Sequence, residues 1–246
     1  MRKGSPEPAS GANERILVIR PGAMGDIFRT LPAVHCLRGR FPDARVTWLV
    51  FDTWREILEG QPGIDELIEL RRSAGNGVPL LRLAGRLRRE RFTLTLDFQG
   101  TFRSGLLARL SHCPRRFGFS RRFSREGNFL FNNHRVTVAS PFLNRVEKNL
   151  ALVRALGART DIPYPGYRVD EGDRRIAEEW LLGLGPPASP IVLLVPGSSR
   201  RQAHKRWPPV HFSRLASLLR GQGFSPLIAW GPGERHLAEG IAMDSG

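Results

Sequence analysis

From Arg15 onward the chain repeats one pattern, a short aliphatic run followed by a longer amphipathic stretch and then another aliphatic run. RILVIR leads into a helical pattern over Ile27–Arg40. RVTWLVF is followed by another helix and DELIEL, and a basic helix over Leu80–Arg89 precedes FTLTLDF. Apolar runs without polar alternation belong to strands covered on both faces, and the helical stretches between them supply the crossovers that parallel strands need. The pattern predicts an α/β fold built on a doubly wound parallel sheet.

An amphipathic stretch over Phe102–Leu110 continues the rhythm, which then breaks between Cys113 and Asn133. There PRRFGFSRRFSREGNFLFNN reads as a long loop or a pair of short elements. A strand HRVTVAS and a helix over Leu143–Leu156 restore order, and the Pro and Gly density of TDIPYPGYRVDEGD marks an interdomain connection. A second unit then begins: a helix around Asp173–Leu182, the strand PIVLLV, a helix over Val210–Arg220, the strand SPLIAW, and GPGE opening a further helix. The expected organisation is a disordered tail over residues 1–14, a first domain over 15–165 and a second over 166–246. Two strands are fewer than a doubly wound domain ordinarily has, so the second domain is expected to be truncated or completed from outside this chain.

Composition narrows the partners. With 38 Lys and Arg against 23 Asp and Glu, the formal charge of +15 attracts nucleic acid, acidic glycans, phosphorylated lipids or an anionic membrane surface. No RRM, KH or helix-turn-helix signature accompanies the charge, so nucleic acid is not expected as a partner. Cys36 and Cys113 are the two cysteines, which indicates neither a disulfide framework nor a zinc cluster and suits a reducing cytoplasm. The opening stretch lacks the apolar run of a secretory signal, and no segment approaches the roughly 20 apolar residues that span a bilayer. Membrane association is expected to be peripheral and electrostatic.

Four short motifs can carry chemistry. In RPGAMGDIFRTLP, Gly22 and Gly25 flank the turn after the first strand and Asp26 falls at the start of a helix. Glycines let a ligand approach the backbone, but a carboxylate at that position argues against a phosphate bound against it. Asp26 reads as a base or as a helix cap. In LDFQGTFRSGLLARL, Gln99 and Gly100 make the turn between a strand and a helix. In VPGSSRRQAHKRWPP, Ser198, Ser199 and Lys205 offer hydroxyls, backbone N–H groups and a point charge; the alternative is a solvated basic turn. In WGPGE, Glu234 follows a glycine turn, as a helix-start glutamate also does. His35, His134 and His211 have no metal-ligand spacing and are read as structural or surface residues.

Taken in order from Arg15 to Glu234, these stretches resemble glycosyltransferase family nine, the ADP-heptose:lipopolysaccharide heptosyltransferases. ILVIRPGAMGDIFRTLPAVHCLRGRFPDARVTWLV looks like the family's N-terminal signature, and LDFQGTFRSGLLARL followed by RRFGF like its second. VPGSSRRQAHKRWPPVHFSRLASLL and WGPGE resemble the family's donor-side loop and glycine turn. The resemblance implies two Rossmann-like domains of the GT-B type, the second incomplete here, with no cofactor and no catalytic metal. It implies inverting transfer of heptose from ADP-heptose to an inner-core lipopolysaccharide acceptor at the inner face of the cytoplasmic membrane.

Carried residue by residue, the resemblance makes Asp26 the base that takes the acceptor hydroxyl's proton. Ser198, Ser199 and Lys205 would meet the donor diphosphate, and Glu234 its ribose. An anionic glycolipid acceptor would fall to Gly25, Gln99, Gly100 and the guanidinium forks of Arg71, Arg72, Arg103, Arg121, Arg122 and Arg125. The family's Asp-x-Gly-x-x-His signature is missing; Met243-Asp244-Ser245-Gly246 imitates its beginning but follows Glu234 too soon. The alternative is therefore a catalytically inactive relative that holds an anionic glycan or lipid through its arginines.

Overall fold

The structure, a computed structural model, describes residues 14–71, 78–183, 189–198 and 200–245. The chain divides into two compact units between Val169 and Asp170. The first contains β1 (Arg15–Ile19), α1 (Met24–Phe28), α2 (Leu31–Arg40), β2 (Arg45–Phe51), α3 (Arg55–Leu58), β3 (Glu66–Leu70), α4 (Val78–Arg89), β4 (Leu94–Asp97), α5 (Phe102–Leu110), β5 (Arg115–Phe119), β6 (His134–Val136) and α6 (Arg145–Arg154). These six strands are parallel, in the order β3-β2-β1-β4-β5-β6. Strand order reverses direction between β1 and β4, the switch point at whose carboxyl ends an open α/β sheet places its crevice.

Burial on both faces explains the continuous apolar runs. Ile16 and Val18 of β1 enter one core with Leu37 of α2 and Leu152 and Val153 of α6. Leu17 and Ile19 enter the other with Leu87 of α4 and Leu107 and Ala108 of α5. Trp48, the largest fully buried side chain, donates its indole N–H to the Arg20 carbonyl at 3.0 Å, so the core also fixes the exit of β1.

Several boundaries differ from the sequence reading. The single helix expected over Ile27–Arg40 is two, α1 and α2, because Pro32 sits in the first turn of α2 and has no N–H to continue α1. The helix expected before β3 is a 3₁₀ turn (Asp52–Trp54) and the single turn α3. The irregular stretch 113–133 contains β5 and a 3₁₀ turn over Asn128–Leu130. Gly118 interrupts the apolar pattern of β5 because a Cβ there would come within 2.2 Å of the Asn132 side chain. The strand expected over HRVTVAS pairs only at His134–Val136, the edge of the sheet. Of the expected tail, only Glu14 falls among the described residues, and it is held in place: its carboxylate pairs with Arg115 at 2.5 Å and its carbonyl accepts the Arg45 N–H at 2.8 Å.

The second unit contains α7 (Glu171–Gly183), β7 (Ile191–Leu194), α8 (Pro209–Gly221), β8 (Ser225–Ile228) and α9 (Arg235–Asp244), with β7 and β8 parallel. Among the described residues no helix is long and apolar enough to cross a membrane. Trp48→Ala is expected to lower the stability of the first unit by about 3–5 kcal/mol in urea unfolding; an unchanged transition would contradict the core placed here.

Candidate functional site

The turn after β4 is built around one carboxylate. Asp97 is fully buried: its Oδ1 accepts the Gln99 and Gly100 N–H groups, both at 3.0 Å, and its Oδ2 accepts the Ser104 hydroxyl at 2.9 Å and the Asn128 side-chain amide at 2.6 Å. Burial pushes the Asp97 carboxyl upward, while the Gly100, Asn128, Ser104 and Gln99 donors act in the opposite direction. The left-handed φ of +70° at Gly100 closes the turn, and the Gly100 carbonyl accepts the Arg125 N–H at 2.8 Å. A fixed position for Gln99 and Gly100 thereby extends to the loop that carries Arg125.

Across the switch point stands Asp26, half-buried in the first turn of α1. Its carboxylate faces cations. Oδ1 lies 3.3 Å from an Arg20 amino group and 3.5 Å from one of Arg29. Arg20 is 3% exposed; it donates to the Phe98 carbonyl at 2.7 Å, and its buried Nε has no partner among the described residues. The buried Oε1 of Gln99 is likewise unpartnered among them. Burial lowers the Arg20 guanidinium from its ordinary value, Asp26 offsets part of that, and Arg145 lowers it further.

A small cleft brings these groups together with residues from α6. It is lined by Asp26, Gln99, Gly100 and Arg125 from the sequence reading, and by Arg20, Arg145 and Lys148, which that reading does not single out. Lys148 donates to the Phe123 carbonyl at 2.7 Å and lies 4.4 Å from the centre of the Phe119 ring. Burial first, then Arg145, Arg125 and Arg20, bring its ammonium down to about 8. Asn149 ties α6 to the α1–α2 junction by donating to the Arg29 carbonyl at 2.9 Å and the Thr30 hydroxyl at 3.0 Å. One carboxylate thus shares a cleft with three guanidiniums and an amine, a predominantly cationic lining.

The other expected residues lie elsewhere. Arg71 is exposed just beyond β3, and Arg103 lines a separate small pocket with Pro21, Phe51 and Leu70. Arg121 and Arg122 are exposed after β5, beside Phe129 at 5.8 Å and Phe123 at 5.8 Å. Gly25 is exposed in α1, next to Asp26. Arg72 and Ser199 lie outside the described residues. His35 sits in aromatic contact with Tyr164, His134 stacks on Phe117 and His211 stacks on Trp207. Cys36 and Cys113 are buried and unbridged.

In the second unit Glu234, the residue just before α9, joins two loops. It accepts the Ser198 N–H and the Gly231 N–H, each at 3.2 Å, and pairs with Arg206 at 2.6 Å. Arg206 also donates to the Ser198 hydroxyl at 3.1 Å. Gly197 is required for this approach, since a Cβ there would fall 1.9 Å from the Glu234 carboxylate. Lys205 ends the 3₁₀ turn Arg200–Lys205 and is exposed. Sequence reasoning misses Arg206, although it follows Lys205 directly, because its ion pair is with a residue 28 positions away.

The profile of glycosyltransferase family 9 (heptosyltransferase) matches residues 80–244, more than half of the 246-residue chain. The chain belongs to glycosyltransferase family 9. It is 24% identical over 227 residues to lipopolysaccharide core heptosyltransferase OpsX of Haemophilus influenzae, covering 92% of this chain and 62% of that protein. It is 28% identical over 236 residues to lipopolysaccharide heptosyltransferase 2 of Salmonella typhimurium, covering 91% of this chain and 65% of that one. The chain therefore spans less than two thirds of the length of these two relatives. Among solved structures, a family 9 glycosyl transferase from Veillonella parvula superposes with a TM-score of 0.77 at 21% identity, over 94% of this chain and 66% of that one. The E. coli heptosyltransferase WaaC with ADP-2-deoxy-2-fluoro heptose gives a TM-score of 0.68 at 24% identity, over 93% and 73%. The two-unit α/β architecture, its second unit the smaller, is the GT-B fold of the family.

The cleft chemistry predicts a pH signature. Lys148 loses its charge as pH rises through about 8, so affinity for a non-titrating anion such as sulfate should fall above that pH, at most roughly tenfold per unit. Calorimetric titration across the range on either side of that value measures it; Lys148→Arg should flatten the profile, and a flat wild-type profile would refute the assignment.

Proposed function

We propose that this chain carries the acceptor-side machinery, and a donor-side loop cluster, of an inverting transferase that moves heptose from ADP-heptose to an inner-core lipopolysaccharide acceptor. The observation that carries the reading is Asp26 at the switch-point cleft, held beside cations suited to an anionic sugar. Family membership supplies the reaction class, and the ADP-sugar analogue named with WaaC supplies the donor class.

In this reading the acceptor hydroxyl lies against Asp26. The acceptor oxygen forms a bond to the anomeric carbon as the bond from that carbon to the diphosphate breaks, on the opposite face. The electron pair leaves with ADP, and the hydroxyl proton passes to Asp26. The hydroxyl becomes acidic only as the new bond forms, so a carboxylate is a sufficient base. Arg20 and Arg29 orient it, while Arg125, Arg145 and Lys148 take the acceptor's carboxylate or phosphate groups, with Gln99 and Gly100 shaping the floor. Arg71, Arg103, Arg121 and Arg122 extend the positive surface, Gly25 leaves the approach to Asp26 open, and Arg72, outside the described residues, is assigned to the acceptor on the family resemblance. On the donor side, Ser198, Ser199 and Lys205 meet the diphosphate, and Glu234 the ribose. Arg206, joined to Ser198 and Glu234, adds a second cation to that loop. The acceptor is a glycolipid, so the protein works peripherally at the cytoplasmic membrane face, without a nucleic-acid partner.

Transfer from ADP-heptose to heptose-deficient lipopolysaccharide tests the proposal. Asp26→Asn should reduce turnover by about 10²–10⁴-fold while leaving ADP binding and the thermal midpoint near wild type; unchanged turnover would eliminate Asp26 as the base. Lys205→Ala should weaken ADP binding about tenfold in calorimetry, and equal affinity in the two proteins would remove Lys205 from the donor site. Saturable acceptor binding without turnover in the wild-type chain would favour a binding role over catalysis.

A further inference from the structure

The crossover from β5 to β6 contains no α-helix. Its 3₁₀ turn Asn128–Leu130 packs on α5 with Asn128 buried beneath, which leaves Phe102 and Leu130 exposed by 49% and 67%. Contacts through residues 126–131 tie the two to one turn, hereafter the tip. Phe102 meets Phe131 edge to face at 5.1 Å, its N–H donates to Glu126 at 3.2 Å, and a Cβ on Gly127 would touch Leu130 at 3.6 Å.

Positive charge surrounds this tip. Residues 98–138 hold eight arginines and a single glutamate. Arg103, Arg121, Arg122, Arg125 and Arg135 are exposed. Arg121 and Arg135 approach the Phe129 ring at 5.8 and 5.5 Å, which holds both guanidiniums next to the tip.

A lone exposed leucine or phenylalanine needs no explanation. A pair of them beside five exposed arginines, with Glu126 as the lone carboxylate of the stretch, matches a phospholipid interface, where guanidiniums meet headgroup phosphates and the apolar side chains enter the acyl boundary. Nucleic acid would engage the arginines and leave Leu130 unburied. We propose that the Phe102–Leu130 tip and its surrounding arginines form a docking surface for an anionic bilayer. The inference rests on the glycolipid reading above for its purpose: Thr101 and Arg125, which flank the tip in the chain, line the Asp26 cleft, so docking would hold that cleft at the surface where the acceptor lies.

The test is co-sedimentation of the full chain with vesicles of phosphatidylcholine, with and without phosphatidylglycerol, at near-physiological salt and with no glycolipid present. Binding to the anionic vesicles is expected, and Leu130→Ser, at a site too exposed to disturb folding, should weaken it roughly tenfold. Phe102→Ser should act in the same direction. A polarity-sensitive dye on Leu130→Cys, selective because Cys36 and Cys113 are buried, should shift to the blue on anionic vesicles. Wild-type binding by Leu130→Ser, an unshifted dye, or equal binding to neutral vesicles would each overturn the proposal. So would an oligonucleotide whose binding shows the same sensitivity to Leu130→Ser. Because neither readout needs a sugar acceptor or turnover, failed transfer with intact vesicle docking would count against the heptose reading alone.

Discussion

The buried carboxylate of Asp97 is the interaction on which the first unit's cleft depends. It takes two backbone N–H groups of its own turn, a hydroxyl from α5 and the amide of Asn128 on a crossover 31 residues away. A charge placed in a dry interior is tolerated only when its lone pairs are met by donors. Here those donors come from separate segments, and meeting them aligns the segments: β4 with α5, and both with the irregular crossover that replaces a helix between β5 and β6. The Gly100 carbonyl then holds the backbone of Arg125. What looks in the sequence like an acceptor-side turn is equally a clamp, and the polar cleft residues are well positioned because their support is buried.

Electrostatics in the cleft follow from how few anions share it. Asp26 is the carboxylate lining the cleft beside Arg20, Arg125, Arg145 and Lys148, and it pairs with Arg20 and Arg29. Burial first, and then the neighbouring guanidiniums, lower the Lys148 ammonium's hold on its proton. In the proposed reading an arriving anion relieves the repulsion among these cations, with the Asp26 carboxylate at the cleft's edge. The second unit uses opposite charges differently: Arg206 and Glu234 pair closely and lock the loop after β7 to the loop after β8.

Much of the fold can be read from the chain. Aliphatic runs bounded by amphipathic stretches locate the strands, because a strand buried on both faces has no polar alternation to obscure it. The weakest reading falls on residues 113–133. Arg115 and Arg116 open β5, and Gly118 makes room for Asn132, so local pattern carries little strand signal there. Asp26, Gln99, Gly100 and Arg125 are legible because each sits within a recognisable motif. Arg20, Arg145 and Lys148 are not: an arginine at the end of a buried strand and two cations on a surface-looking helix have nothing local to set them apart from solvated charge. Equally, local sequence does not separate Arg125, which lines the cleft, from Arg71, Arg103, Arg121 and Arg122, which do not.

Hydrophobic periodicity and motif order in the sequence determined the α/β class, the two-unit organisation and the family, since these depend on neighbours within a few turns of chain. Tertiary structure alone decided which charges share a cleft. β1 and β4 are neighbours in the sheet although β2 and β3 lie between them in the chain, and the register that sets Ile19 opposite Asp97 brings the Asp26 and Gln99 loops together. Electrostatic interaction falls with distance in space and is indifferent to distance along the chain, which is why the site had to await the fold.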